Sequence, residues 1–197
     1  MSGELDRMRE ELNRLIAELY EGEKKILVHG EGEIGARVML VGEAPGEQET
    51  LMGRPFVGKA GKNLDEFLEL AGLERSQLYV TNAVKFRPTK RSAAGRTVNR
   101  PPTREEVSLF LPWLRREIEL VAPEVIVTLG NVPLRALTGP KAVIGDVHGA
   151  FQDADGLRLY PMYHPASLIY NPALRPVYAE DIRRLSAHLR AENPEKK

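Results

Sequence analysis

Apolar residues at the start of the chain recur at helical spacing. Leu5, Met8, Leu12, Leu15, Ile16 and Leu19 share one stripe, which predicts an amphipathic helix within residues 1–22. A glycine-rich turn (Gly30, Gly32, Gly35) follows, and the pattern then changes. Arg37–Val41, Leu78–Val84, Val125–Leu129 and Leu157–Tyr163 are short, mostly apolar runs of the length and composition of buried strands. Helical stretches lie between and after them. Ala60–Ala71 stops at Gly72, a helix C-terminal signal. Thr103 followed by Glu106 forms a capping box that opens a helix to about Val121. Asn131–Leu137 and Val177–Leu189 complete the set. Strands alternating with helices predict an α/β fold whose parallel sheet is covered on both faces.

Residues 88–102 interrupt this rhythm. They read as a loop of low apolar content carrying Lys90, Arg91, Arg96 and Arg100, either a functional element or a solvated insertion. The polar end, residues 191–197, is expected to be disordered, and the 197 residues as a whole suit one domain. The formal net charge is zero, so any nucleic-acid binding must rest on local basic patches. The absence of cysteine excludes disulfides, thiolate nucleophiles, cysteine zinc sites and cysteine-ligated iron–sulfur clusters. No apolar run approaches the roughly 20 residues of a membrane span, and the acid-bearing N-terminus lacks a signal-peptide core. A cytoplasmic monomer is the expectation.

In an open parallel sheet, ligands bind outside the carboxyl ends of the strands. The segments after the four runs therefore belong at one rim. They carry Glu43, Ala44, Glu47, Glu49 and Phe56 after the first, Asn82 and Lys85 at the second, Gly130 and Asn131 after the third, and His164 after the fourth. Each has an ordinary explanation: Phe56 as core packing, Asn82 as a turn residue, Glu43 as a surface acid, His164 as a partner for a loop carbonyl. Four such residues at four strand ends are harder to explain that way.

The segments GEAPGEQE, GRPFVGKAG, TNAVKFRP, NRPP, IELVAPEVIVTLG and HPASLIYNP, in this order, resemble the family-four uracil-DNA glycosylases. The resemblance implies a three-layer α/β/α sandwich with a central, mostly parallel four-stranded sheet. It also implies roles. Phe56 would stack on a uracil flipped out of DNA, Asn82 would read its polar edge, and His164 would hydrogen-bond its O2 as charge develops. Glu43 would stabilise the sugar cation and orient water, the backbone at Ala44 would contact the base, and Glu49 would crowd C5 against thymine. Lys85, Arg87, Arg91, Arg96 and Arg100 would hold phosphates, and Leu168 and Ile169 would wedge into the vacated stack.

One departure from the family is plain. Its four-iron cluster sits on four cysteines, and the matching positions here hold Leu15, Glu18, Phe86 and Leu109, so the cluster is expected to be absent. Two other functions fit the residues. One is a glycosylase-like module that binds uracil-containing or single-stranded DNA, single- or double-stranded substrates being equally open, without turning it over. A superfamily relative traps its product through a histidine about where Asn99 stands here. The other is a metal-dependent nucleotide hydrolase using Glu43, Glu47 and Glu49.

Overall fold

The computed structural model describes residues 2–70 and 72–192; the expected tail from 193 onward lies outside the described residues. In chain order the strands are β1 (Val38–Gly42), β2 (Leu78–Asn82), β3 (Thr89–Arg91), β4 (Thr97–Asn99), β5 (Val125–Leu129), β6 (Gln152–Ala154) and β7 (Leu157–Met162). The helices are α1 (Ser2–Leu19), α2 (Glu47–Met52), α3 (Lys59–Leu70), α4 (Arg104–Val121), α5 (Asn131–Thr138), α6 (Ile144–Val147), α7 (Ser167–Tyr170) and α8 (Arg175–Ala191).

The main sheet runs β2-β1-β5-β7-β6, with the first four strands parallel and β6 antiparallel on the edge. Successive residues of a strand point to opposite faces, so a strand covered on both sides must be apolar throughout. In β1, Val38 and Leu40 face Leu64, Phe67 and Leu68 of α3 and Ile182 and Leu185 of α8. Met39 and Val41 face Leu5 and Met8 of α1 and Leu114 and Ile118 of α4. This is the three-layer arrangement. A third apolar group joins Leu12 and Ile16 of α1 to Val84, Phe86 and Phe110.

Two expectations are corrected. The sheet has five strands, not four, because Gln152–Ala154 adds an antiparallel edge. Three residues without apolar alternation leave no trace in a hydropathy pattern. The basic segment is not an open loop either. Its two arms pair as the hairpin β3–β4, in register Thr89↔Asn99 to Arg91↔Thr97. The capping box at Thr103 forms as its sequence indicates: the Thr103 hydroxyl accepts from the Glu106 N–H at 3.2 Å and the Glu106 carboxylate from the Thr103 N–H at 2.8 Å.

Candidate functional site

The parallel strands bring their carboxyl ends to one rim. Gly42 and Asn82 are register partners at the ends of β1 and β2. Beyond them the two chains stay tied, with the Ala83 N–H on the Gly42 carbonyl (2.8 Å) and the Val84 N–H on the Glu43 carbonyl (3.0 Å). Gly42 is required here by contact. A β carbon on it would lie 2.4 Å from both Asn82 Oδ1 and the Phe56 ring. Its absence lets ring and amide meet over the strand end. The His164 ring, just past β7, stacks on Phe56 with centroids 5.9 Å apart and planes at 29°. Phe56, Asn82 and His164 therefore gather at one rim, and Glu43 follows Gly42 directly there, half-buried.

The electrostatics suit a neutral, hydrogen-bonding ligand. His164 Nδ1 accepts the Ala166 N–H at 3.1 Å, which places the ring proton on Nε2. Burial lowers its pKa to about 4, against a smaller opposing pull from the Glu49 charge. At neutral pH the imidazole is thus an uncharged donor. Asn82 is 3% exposed, and no described residue hydrogen-bonds its side-chain amide. The amide thus keeps its donor and acceptor free at the rim for a ligand that carries both. Burial pushes the Glu43 carboxyl above the ordinary carboxylate range. Phe56 itself sits at φ +53°, in the left-handed region, where a non-glycine residue costs of order 1–3 kcal/mol.

Glu49 is committed to the backbone. Its carboxylate accepts from the N–H groups of Gly46 (3.1 Å), Val57 (3.1 Å) and Gly58 (2.8 Å), so it staples the loop after β1 to the loop holding Phe56. Ala44 is half-buried and packs on the third apolar group.

The residues expected on phosphates divide into two kinds. Arg91 and Arg96 are exposed on the β3–β4 hairpin. Arg87 is half-buried, donating to Asn99 Oδ1 (2.6 Å) and to Glu47 (3.0 Å). Three residues are corrected. Lys85 is 1% exposed and points inward, its Nζ 2.5 Å from Glu117 Oε2, 2.5 Å from the Thr81 hydroxyl and 2.9 Å from the Asn82 carbonyl. It cannot reach a phosphate. Arg100 is spent as a latch, with both terminal nitrogens on Glu106 at 2.7 Å and Nε on the Thr89 carbonyl at 3.1 Å. Leu168 is 2% exposed in the core, so it cannot serve as a wedge, whereas Ile169 (44%) and Tyr170 (87%) beside it stand in solvent.

Sequence reasoning missed Glu117, the buried partner of Lys85. Arg75 carried no signal at all, yet it donates to the carbonyls of Pro55 and Phe56.

The cluster that the resemblance implies does not fit these residues. Phe86 packs edge-on against Tyr20 (5.4 Å) and Phe110 (5.3 Å), Leu109 joins the same group, Leu15 is half-buried and Glu18 is exposed. Packed carbon occupies the place, and the chain has no thiolate to offer. Among the described residues, no group of three or more His, Asp or Glu side chains could hold a metal ion. Glu47 and Glu49, two of the three acids a metal-dependent hydrolase would use, are engaged by Arg87 and by backbone N–H groups. No helix among the described residues is long and apolar enough to cross a membrane.

Comparison with known proteins shows similarity along most of the chain. Residues 29–186 match the model of the uracil DNA glycosylase superfamily. The type-4 uracil-DNA glycosylase of Saccharolobus solfataricus is 38% identical over 175 residues, covering 84% of this chain and 77% of that protein. The type-4 enzyme of Thermotoga maritima is 36% identical over 197 residues, covering 93% and 98%. The type-5 uracil-DNA glycosylase of Pyrobaculum aerophilum is 37% identical over 180 residues, covering 79% and 74%. Among solved structures, Pedobacter heparinus SMUG2 superposes with a TM-score of 0.53 at 15% identity, covering 81% of this chain and 77% of that one, a likeness of fold alone. The chain belongs to the uracil DNA glycosylase superfamily, as a type-4-like member without the cysteines for a cluster.

Proposed function

We propose that this protein hydrolyses the N-glycosidic bond of deoxyuridine in DNA, initiating base excision repair. The observation that carries the reading is the convergence of Phe56, Asn82 and a tautomer-fixed, neutral His164 at one rim of the sheet. Reaching the bond requires extruding the nucleotide, at a cost of a few kcal/mol, roughly, that stacking and edge hydrogen bonds offset. Phe56 offers the stacking face. Asn82 offers a donor and an acceptor free for the base edge. As the C1′–N1 bond breaks, the electron pair leaves with the uracil and negative charge grows on its O2. The His164 Nε2–H, held by the Ala166 contact at Nδ1, donates to that oxygen without giving up its proton. Glu43 in its ionised form stabilises the oxocarbenium-like sugar and directs water to C1′. The water oxygen then bonds to C1′, and its released proton balances the uracil anion.

Single-turnover cleavage of an oligonucleotide with one deoxyuridine, in chelator and followed by alkali, tests the reading beside equilibrium binding to a non-cleavable analogue. His164→Ala is expected to lose about a hundred- to a thousandfold in rate with affinity nearly unchanged, because its donor acts chiefly in the transition state. Asn82→Ala is expected to lose rate and discrimination against thymine together. Glu43→Gln is expected to be slow and still bind. Cleavage by His164→Ala at the parent rate would remove the mechanism. The absence of cluster cysteines favours a second reading, a DNA-binding module of the same superfamily with weak or no turnover. An intact deoxyuridine strand after long incubation with excess folded parent, with the analogue still bound, would establish it.

A further inference from the structure

We propose that Arg75 is a positioning residue for the pocket, setting the Phe56 ring by gripping the backbone of the turn that carries it. This role rests on the proposed function, since Phe56 matters only if it stacks on a base. Phe56 combines a positive φ with an aromatic side chain, a conformation that relaxes toward negative φ unless its surroundings hold it. Its two sides are held differently. The ring lies against Gly42 and stacks on the His164 ring. The carbonyl meets α3 and Arg75. A β carbon at Gly61 would lie 1.9 Å from the Phe56 oxygen, so α3 presses directly on this peptide. Arg75, in the 3-10 turn before β2, donates from one terminal nitrogen to the Phe56 carbonyl at 2.8 Å and from the other to the Pro55 carbonyl. Asp65, also on α3, orients the same guanidinium at 3.1 Å. Two adjacent carbonyls fixed by one rigid fork define the plane of the turn, and with it the direction of the ring. A compact ammonium could satisfy one carbonyl but not both in that geometry.

A double-mutant cycle on Arg75 and Phe56 tests this, read by single-turnover cleavage of deoxyuridine DNA and by binding of the non-cleavable analogue. Arg75→Met is expected to slow cleavage about tenfold to a hundredfold, the scale of a small misplacement in a site. In a Phe56→Ala background the same change should add less than about twofold, because the group it positions is gone. Arg75→Lys should fall between parent and Arg75→Met and show the same coupling. It carries the test if thermal melts show that Arg75→Met does not fold. Losses that multiply independently in the two backgrounds would overturn the proposal and leave Arg75 as a structural tie. A parent that neither cleaves nor binds would remove the base-pocket reading, and this role with it. A parent that cleaves while the cycle is additive would remove this role alone.

Discussion

Replacing Lys85 separates a phosphate contact from a buried structural ion, and the structure sets the size of the effect. Both Lys85 and Glu117 are 1% exposed. Lys85→Met removes the positive charge while leaving the Glu117 carboxylate in place, with only the hydroxyls of Thr81 (3.1 Å) and Tyr79 (2.9 Å) as donors. Stranding one member of a buried pair costs about 3–5 kcal/mol. A domain of this size holds about 5–15 kcal/mol in total and shifts by about 2–4 °C per kcal/mol, so the melting temperature should fall by about 6–20 °C. Lys85→Met with Glu117→Leu should recover much of the loss, since both charges leave together, although the Tyr79 and Thr81 hydroxyls then lose their acceptor. Thermal unfolding by circular dichroism measures this. The salt dependence of DNA binding, taken well below the melting temperature, measures the alternative. A phosphate contact would reduce the slope by about 0.7–0.9, whereas a buried lysine should leave it unchanged. A Lys85→Met protein with the parent's melting temperature and a reduced slope would refute the burial argument outright.

Arg91→Ala with Arg96→Ala should reduce the salt slope by up to about 1.8 with little change in saturated cleavage rate; an unchanged slope would return the hairpin to a solvated ornament. Arg100→Ala should instead lower the melting temperature and loosen the hairpin base, because it releases Glu106 and the Thr89 carbonyl. Cleavage should fall on the acid side as pH drops through the raised pKa of Glu43, and that limb should vanish in Glu43→Gln, while neutral His164 contributes no alkaline limb. Stability follows the histidines: burial lowers His29 and His164 from 6.5 to about 4, so unfolding takes up protons in that window and the melting temperature should fall as pH drops through it. Cleavage should be insensitive to iron chelators, and the purified protein colourless; a stoichiometric iron signal would contradict the packing around Phe86.

The layers of the fold were legible because each strand is buried on both faces and each long helix on one, so period and run length carried the information. What escaped was built from short pieces. β6, α6 and α7 are three or four residues long, and tertiary contacts, not local pattern, hold them. The meeting of Phe56 and His164 was legible for a topological reason: strand ends of a parallel sheet share a rim, so distant residues could be brought together without knowing any side-chain direction. Direction was the missing quantity. Lys85 follows Asn82 by three residues, and nothing in TNAVKF states that its side chain turns back toward Glu117 on α4. Leu168 and Ile169 are chemically alike, and only the packing of α7 buries one and exposes the other.

Charge placement bears on how such a protein would find its target. With a net charge of zero, affinity for the phosphate chain depends on which cations are unpaired. Around the hairpin, Lys85, Arg87 and Arg100 are each bonded to a glutamate. Lys90, Arg91 and Arg96 project from β3–β4 without a carboxylate partner among the described residues. Three phosphate contacts would give a slope of only about −2.7 in the logarithm of affinity against salt on duplex DNA, so the hairpin would supply modest non-specific binding. On the proposed function, the larger share of discrimination would come from the rim site, where an aromatic face, an amide with donor and acceptor free and a neutral imidazole donor would reward one base shape. The aromatic packing of Phe86 with Tyr20 and Phe110 anchors the start of the basic segment to α1 and α4. Weakening the hairpin should therefore cost affinity, and weakening the pocket should cost chemistry, with little exchange between the two.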